Sequence, residues 1–458
     1  MKNVIVLALL AGLAAVAPAQ AESLPAPVVN TNSFEIVSNS RYSSHSGFTS
    51  SVPMQVLANI LWAMNRAPSL GSAYREYYVA TPSNVYLWDS TANVLRVHLA
   101  GNHRYSTNSA FEVGIAVESD EEAGGAIDAG LMASVAFWRP ESATVSSCPM
   151  AFAANYANAN WDPAHTINMV NVYGRRTMTG LTDSCQAASS DSSLPRPVTV
   201  GASPYEEVLD GLEMHAEFDP PPLELSVLGQ LLWSGFGVTP HMTTNNRRGT
   251  TIASAVANYY LTRRIYAVGD TALWRYHNRV PPGTGLTTSD HRLEWLSGGD
   301  LRQALRSASA RVPIAPDYVV LCVADTNDGW QTIEAGFAAF QMLVQARALP
   351  LSPEGLYGHI LAPLTTAERG AIQSALGLPA ADWPAVVFSV GIPPRPGVTE
   401  PGQGAAPVTP GVIGGGIAAS VGVGTFDALG RRVSAPRLAP GVYYEVSGAG
   451  RRRLVVVR

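Results

Sequence analysis

The chain has 458 residues, enough for two or three domains with complete cores. Hydrophobic residues make up 47% of it, while only 14% are charged and the net charge is −5. That balance excludes a disordered chain and offers no basic face for nucleic acid.

At the N-terminus, Lys2 is followed by an apolar run from Val4 to Val16 and by Ala19-Gln20-Ala21. A positive n-region, a short apolar core and an A-x-A site read as a signal peptide over residues 1–21. The run is shorter than the roughly 20 residues a bilayer span needs, and no other stretch is long and apolar enough. The expectation is an exported mature chain without a transmembrane segment. Residues 22 to 33 contain Pro and Asn and read as an extended leader.

The stretch Val56-Leu-Ala-Asn-Ile-Leu-Trp62-Ala63 then returns, lightly edited, as Val227-Leu-Gly-Gln-Leu-Leu-Trp233-Ser234. Each is an apolar helical run ending in a tryptophan, which serves as a core anchor. Three further echoes follow in the same order. Ser72 and Ser254 each precede a Tyr-Tyr pair, Tyr77-Tyr78 and Tyr259-Tyr260, by five residues. Ile127-Asp-Ala-Gly130 and Ile333-Glu-Ala-Gly336 each open an apolar helix. Val198-Thr-Val-Gly201 and Phe388-Ser-Val-Gly391 close the two copies. Four matches in one order indicate an internal duplication.

In the first copy, Pro68 ends the Leu-Leu-Trp helix. Glu76–Ala80 and Val85–Trp88 read as strands, and Asp120-Glu-Glu sits favourably ahead of the Gly130 helix. Residues 140–195 show little periodicity. The second copy places 26 positions between Trp233 and Tyr259 against 15 between Trp62 and Tyr77, an insertion of 11 that carries His241, Arg247 and Arg248. Strands are expected over Tyr266–Tyr276, Tyr318–Ala324 and the run that ends at Gly391, with helices over Leu301–Ser307 and Ile333–Ala348. Residues 394–416 are Pro/Gly-rich and read as a linker. The remainder alternates short β-runs with turns at Gly430 and Gly441, as a small β-sandwich does.

Three cysteines do not make a disulfide scaffold. Cys148 and Cys185 are a possible pair in an oxidising compartment, whereas Cys322, within an apolar strand-like run, reads as a buried inert thiol. The nine histidines are scattered without a metal-ligand spacing, and no metal is expected. No nucleophile elbow or P-loop is present.

The tail resembles the type A sorting domain of type IX secretion. The resemblance rests on Asp427…Gly430-Arg431-Arg432-Val433, on Pro440-Gly441-Val442-Tyr443 and on the basic ending Leu454-Val-Val-Val-Arg458. It implies the secretion machinery as a partner and a secreted or cell-surface destination.

The duplicated body resembles the nitroreductase-like FMN family, in particular its azoline dehydrogenase-like branch. Leu61-Trp62-Ala63, then Pro68-Ser69-Leu70-Gly71, then Tyr77-Tyr78-Val79 match the family's L-L-W-A helix, P-S-x-G segment and following strand. Glu334-Ala-Gly336 matches its glycine-led helix, Pro353-Glu354-Gly355 its loop, and Gly391-Ile-Pro-Pro-Arg395 its closing strand with a basic residue. The resemblance implies FMN at an interface between two subunits, here the two copies of one chain. The first copy keeps Pro68-Ser69-Leu70-Gly71 where the second has Thr250-Thr251-Ile252-Ala253; only the second keeps Pro353, Glu354, Gly355 and Arg395.

The expected architecture is therefore α+β: a degenerate repeat over 34–205, a second over 206–395, together an intrachain pseudo-dimer, then a linker over 396–416 and a β-domain over 417–458. The expected function is an exported FMN-dependent oxidoreductase with one composite site and a small-molecule substrate. Its cofactor-binding residues would be Arg41, Pro68, Ser69, Gly71, Pro353, Glu354, Gly355 and Arg395, with the two arginines as phosphate partners. The alternative is a non-catalytic, flavin-less surface or binding protein that retains the fold.

Overall fold

The computed structural model describes residues 21–29, 32–41, 48, 51–70, 72, 74–106, 108–118, 127–132, 145–151, 161–165, 167–175, 194–219, 221–242, 248–254, 258–279, 289–349, 355–394, 424–427, 432–433, 441–446 and 452–457. Met1–Pro396 form one compact unit and Gly397–Arg458 a second.

The first half of the larger unit starts with β1 (Ala21–Ser23) and a short arm helix α1 (Phe34–Asn39), capped by Ser33. Helix α2 (Met54–Met64) carries the Leu-Leu-Trp motif. Strands β2 (Tyr74–Ala80), β3 (Asn84–Asp89), β4 (Val94–Ala100) and β5 (Phe111–Glu118) follow. Helix α3 (residues 127–132), β6 (Val145–Ala151) and β7 (Ile167–Arg175) complete it. The second half repeats the plan with arm helix α4 (Tyr205–Asp210) and the Leu-Leu-Trp helix α5 (Leu225–Phe236). A hairpin of β8 (Val238–Met242) and β9 (Arg248–Thr250) precedes β10 (Ile265–Val268), β11 (Ala272–Arg279) and β12 (Ser289–Gly298). Then come α6 (Arg302–Ala308), β13 (Asp317–Val323), α7 (Gly329–Ala348), β14 (Tyr357–Leu361), α8 (Thr366–Leu376) and β15 (Trp383–Gly391).

The two sheets have the same order. The first runs β1-β4-β3-β2-β5-β7-β6 and the second β12-β11-β10-β13-β15-β14. With β1 set aside, each strand has one counterpart, and neighbouring strands are antiparallel throughout. The helices follow the same rule: Phe34 and Tyr205, Met54 and Leu225, Trp62 and Trp233 share one offset of 171 residues. The arm helices, with Phe-Glu-x-Val in one and Tyr-Glu-x-Val in the other, were not among the expected echoes.

The inner faces of both sheets, α2, α3, α5 and α7 contribute to one continuous apolar core. At its centre α3 and α7 cross where neither has a side chain. A Cβ on Gly130 would lie 2.6 Å from the carbonyl oxygen of Ile333, and a Cβ on Gly336 would lie 2.5 Å from that of Ile127. Only glycine permits a backbone approach this close. The contact is reciprocal, with each glycine against the isoleucine three residues before the other.

The outer face of the second sheet is covered by α6 and α8, around Tyr266, Tyr318, Leu364 and Ile372. Helix α8 is set by a capping box between Thr365 and Glu368 and ends at Gly377, whose φ of 62° is left-handed. Glu368 also accepts from Arg311 at 2.6 Å, and that guanidinium holds its carboxyl down at about 2. The outer face of the first sheet carries a smaller cluster of Tyr78, Ala80, Val85, Ala116, Trp161, Ile167 and Val170.

Two of the expected echoes differ. Tyr77-Tyr78 lies in β2, but Tyr259-Tyr260 lies in a turn, with Tyr259 at φ 55°; the tyrosine of β10 is Tyr266. Phe388–Gly391 belongs to β15, whereas Val198–Gly201 is an extended connection held by Gln230 and Ser33. The counterpart of β15 is β7, in the stretch where the sequence shows little periodicity. Cys322 is buried and free, and burial pushes its thiol well up. Cys185 and the side chain of Cys148 lie outside the described residues. No helix among the described residues is long and apolar enough to cross a membrane, and the candidate signal segment over 1–20 lies outside them. In the smaller unit β16 (Gly424–Asp427), β17 (Arg432–Val433), β18 (Gly441–Val446) and β19 (Arg452–Val457) form one antiparallel sheet in the order β17-β16-β18-β19.

The crossing makes a symmetric prediction. Gly130→Leu and Gly336→Leu each drive a side chain into a backbone carbonyl that cannot step aside, at a cost of about 3 kcal/mol or more. Thermal or denaturant unfolding should show comparable losses for the two, and a tolerated Gly336→Leu would refute the close approach. Asp317 gives a second test. Burial pushes its carboxyl up to about 6, against the pull of the Leu223 N–H it accepts at 2.7 Å. A raised folded value means that ionisation opposes folding; stability falls as pH rises from about 4 to about 6, and the deficit is complete above that. Asp317→Asn, which can still accept from Leu223, should raise stability above pH 7 by up to about 2–3 kcal/mol and change nothing below about pH 4.

Candidate functional site

The two arm helices meet at their N-terminal ends. Ser33 bridges Pro204, the Phe34 and Tyr205 rings sit 5.5 Å apart, and Tyr205 N donates to Asn32 O at 2.9 Å. The buried carboxylate of Glu35 accepts from Gln345 of α7 at 2.7 Å, and Ser38 bonds Gln341 of the same helix at 3.2 Å. Each arm then ends against the other half. Buried Arg41, two residues past α1, donates from Nε to the Thr250 carbonyl at 2.7 Å. Asp210, the last residue of α4, pairs with Arg66 just beyond α2 at 2.8 Å.

The end of α4 collects polar groups from both halves. From the first half comes the Pro68-Ser69 segment, two residues past Arg66. Arg75 pins it, donating to Ala67 O at 2.6 Å and to Pro68 O at 2.8 Å. Arg75 is anchored in turn 3.4 Å from Asp128, a fully buried carboxylate in α3 that also accepts from the Ser72 hydroxyl. From the second half comes Arg347, in the last turn of α7. Its Nε donates to Gly211 O at 3.2 Å, and its guanidinium lies over the Tyr357 ring at 4.8 Å. His215 meets the same ring edge-on at 4.2 Å. Gly355 completes the group with a left-handed φ of 78°, and a Cβ there would stand 2.6 Å from Arg347 Nη1. The Arg347 guanidinium thus packs on the side of Gly355 where a Cβ would project, a close approach that only glycine allows.

Among the expected site residues, Pro68 and Ser69 lie on the segment that leads to this end, and Gly355 lies beside Arg347. Arg41 is at the other end of the arms, against Thr250. The sequence could not separate Arg41 from Pro68, because the arms exchange halves and that exchange is a tertiary feature. Gly71, Pro353, Glu354 and Arg395 lie outside the described residues. Sequence reasoning missed Arg66, Arg75, Asp128 and Arg347. The signal for Asp128 was present, since it follows Ile127 as Glu334 follows Ile333, and Glu334 accepts from Leu261 N at 3.1 Å.

No family model and no curated protein matches the chain. Solved structures do. A nitroreductase-like protein from Anabaena variabilis ATCC 29413 is 9% identical and aligns over 77% of this chain and 94% of its own, with a TM-score of 0.50. One from Ralstonia eutropha JMP134 is 20% identical over 48% of this chain and 97% of its own, with a TM-score of 0.36. NADPH:FMN oxidoreductase from Vibrio harveyi is 15% identical over 44% of this chain and 74% of its own, with a TM-score of 0.26. The Anabaena likeness shows the fold: a mixed α/β nitroreductase-like fold. Its extent exceeds what either sheet with its helices supplies, so it spans both halves.

Gly355→Ala places a Cβ at a left-handed φ and should cost about 1 kcal/mol of stability, since the flexible Arg347 guanidinium can step aside. Denaturant unfolding checks it, and a variant as stable as the parent would show that the backbone at 355 is not held at that φ.

Proposed function

We propose that the chain is an FMN-dependent oxidoreductase made of two tandem copies of one flavin-binding half, with its working site at the end of α4. The observation that carries this reading is the convergence at that point. Pro68-Ser69, which only the first half keeps, leads from Arg66, which pairs with Asp210 at the arm end. Arg347 of the second half, with Gly355 beside it, bonds Gly211 just past that end. The matching strand orders, the common offset and the reciprocal glycine crossing support duplication, with the halves arranged as an intrachain pseudo-dimer. Within the nitroreductase-like fold, the Leu-Trp-Ala and Pro-Ser-x-Gly resemblance favours the azoline dehydrogenase-like branch.

The residues at the α4 end fit the group. Arg347 offers a cation to the phosphate or to the negative charge that reduction places near the ring's N1 and O2. Gly355 lets the loop backbone pass close against that cation, and the Pro68 segment is held by Arg75, which Asp128 anchors in turn. The Arg41 end fits less well: Thr250-Thr251-Ile252-Ala253 replaces Pro-Ser-x-Gly, and Arg41 directs its Nε to a backbone carbonyl. Bound FMN would supply hydride or electron transfer to a small organic substrate. The chain's contribution is to hold and orient it and to exclude water. The signal-peptide pattern over 1–21 and the tail resemblance support export of this activity from the cytoplasm, with type IX secretion machinery as the partner.

The test is the flavin itself. The mature protein should purify yellow and release FMN on denaturation. Arg347→Ala should weaken FMN binding about tenfold or more, the loss of one charge-assisted contact, while Arg41→Ala changes it far less. Colourless protein that takes up no added FMN would sink the reading and leave a flavin-less binding protein. An Arg41 effect larger than that of Arg347 would move the site to the opposite end.

A further inference from the structure

The outer face of the first sheet holds a second cluster of functional groups, on the side of β2 away from the core. Glu76 and Tyr78 come from β2, His98 from β4, and Asp162 and His165 from the segment just before β7. The Tyr78 hydroxyl lies 2.6 Å from Glu76 Oε2 and 2.5 Å from Asp162 Oδ2. One phenolic proton cannot satisfy two carboxylates at once. His165 Nδ1 is 2.7 Å from Glu76 Oε2 and 3.7 Å from Asp162 Oδ2, yet this buried nitrogen makes no directed hydrogen bond. The Glu76, Asp162 and His165 atoms all lie within 4.8 Å of one another. His98 Nε2 stands 3.6 Å from the same Asp162 oxygen.

The parts are held in place from outside the cluster. The His165 ring packs on Tyr74 at 4.2 Å, and Asp162 Oδ1 accepts from Ala164 N at 2.7 Å. Tyr78 itself is fully buried and closes the face beneath.

The second half contains the same scaffold with the opposite charge plan. Tyr266, the tyrosine of the counterpart strand β10, donates to Asp382 Oδ2 at 2.5 Å; Asp382 directly precedes β15, and Asp162 lies five residues before the counterpart strand β7. There the carboxylate is neutralised within the chain. Arg264 Nε bonds Asp382 Oδ1 at 3.0 Å, and Arg275 lies 5.5 Å over the Tyr266 ring. Arg264 stands two residues before its tyrosine, and the residue two before Tyr78 is Glu76. One half thus carries a guanidinium beside its Tyr–Asp pair. The other has a second carboxylate in that place and two imidazoles around it.

We propose that Glu76, Asp162 and His165 bind a divalent transition-metal cation of the zinc type, with His98 beside the fourth position. The ion takes the charge-balancing role that Arg264 plays in the second half. Two carboxylates with one divalent ion are neutral overall, which removes the cost of two adjacent, poorly solvated anions. Nitrogen and carboxylate donors suit zinc at about 2.0–2.2 Å, and tetrahedral ligand atoms at that distance stand about 3.3 Å apart. The observed separations of 2.7–3.7 Å lie on either side of that value. Bound there, the ion fastens the 161–165 segment to β2 and serves structure, independently of any flavin.

Untagged protein, stripped with a chelator and titrated with Zn2+ by calorimetry, should take up one ion per chain and melt at a higher temperature when loaded. His165→Ala should weaken Zn2+ uptake at least a hundredfold. Glu76→Arg installs the second half's arrangement; it should fold, keep the melting temperature of the stripped parent and lose stoichiometric Zn2+ uptake. If His165→Ala does not fold, Glu76→Arg alone decides. Stripped protein that takes up neither Zn2+ nor Mn2+ overturns the proposal, as does uptake that survives Glu76→Arg.

Discussion

The contact of α3 with α7, backbone against backbone at Gly130 and Gly336, fixes the position of every other part of the larger unit. Two helices that meet without side chains between them bring their flanking elements within reach of both sheets. The inner faces then share one core instead of two small ones, which favours stability because larger cores bury a greater fraction of surface. The reciprocity of the contact agrees with the matching strand orders of the two sheets that flank it. The arms meet at their N-terminal ends, and each ends against the opposite half.

Helix α7 shows what that central position demands. Nearly all of its length is buried, including Gln331, Thr332, Glu334, Gln341 and Gln345. A buried polar side chain is costly unless bonded, so these residues act as register marks. Gln341 meets Ser38 and Gln345 meets Glu35, both in the opposite half's arm, while Gln345 also meets Gln230 in α5. A one-residue slip of either arm would break several of these bonds together. The apolar core joins the halves, and the amides determine how they fit.

The Leu-Leu-Trp helices, the two glycine-led helices and strands β10, β11, β13 and β15 were legible because each has a strong local pattern, whereas β8, β9, β12 and β14 were not expected. Less was legible where the determinant is not local. The arms share only a Phe/Tyr-Glu-x-Val pattern, too short to notice without the structure that lays them together. Tyr259-Tyr260 imitates Tyr77-Tyr78 in sequence, but the β8–β9 hairpin displaces it into a turn, and Tyr266 takes the structural place. Strand β7 lies within a stretch poor in pattern because Asn171 and Tyr173 interrupt its apolar inner face. At the candidate site, Pro68, Ser69 and Gly355 carried local signals, whereas Arg347 is an ordinary basic residue near a helix end until folding sets it beside Gly355. Glu76, Asp162 and His165 escaped any spacing rule, since strand and loop deliver them from separated parts of the chain.

Divergence between the halves follows from the same constraint. Near the crossing, a change on one side must be accommodated by the other, and Gly130, Gly336 and the paired arms stay matched. Away from it the halves are free of each other, and their chemistry separates. Pro-Ser gives way to Thr-Thr after one Leu-Leu-Trp helix, Arg41 has Leu212 at the same offset in the other arm, and Arg264 stands where the first half has Glu76. Two identical subunits could not make such exchanges singly, because every substitution would appear at both ends. A chain with both halves in tandem, as proposed above, can make them singly, which is what lets the two ends differ.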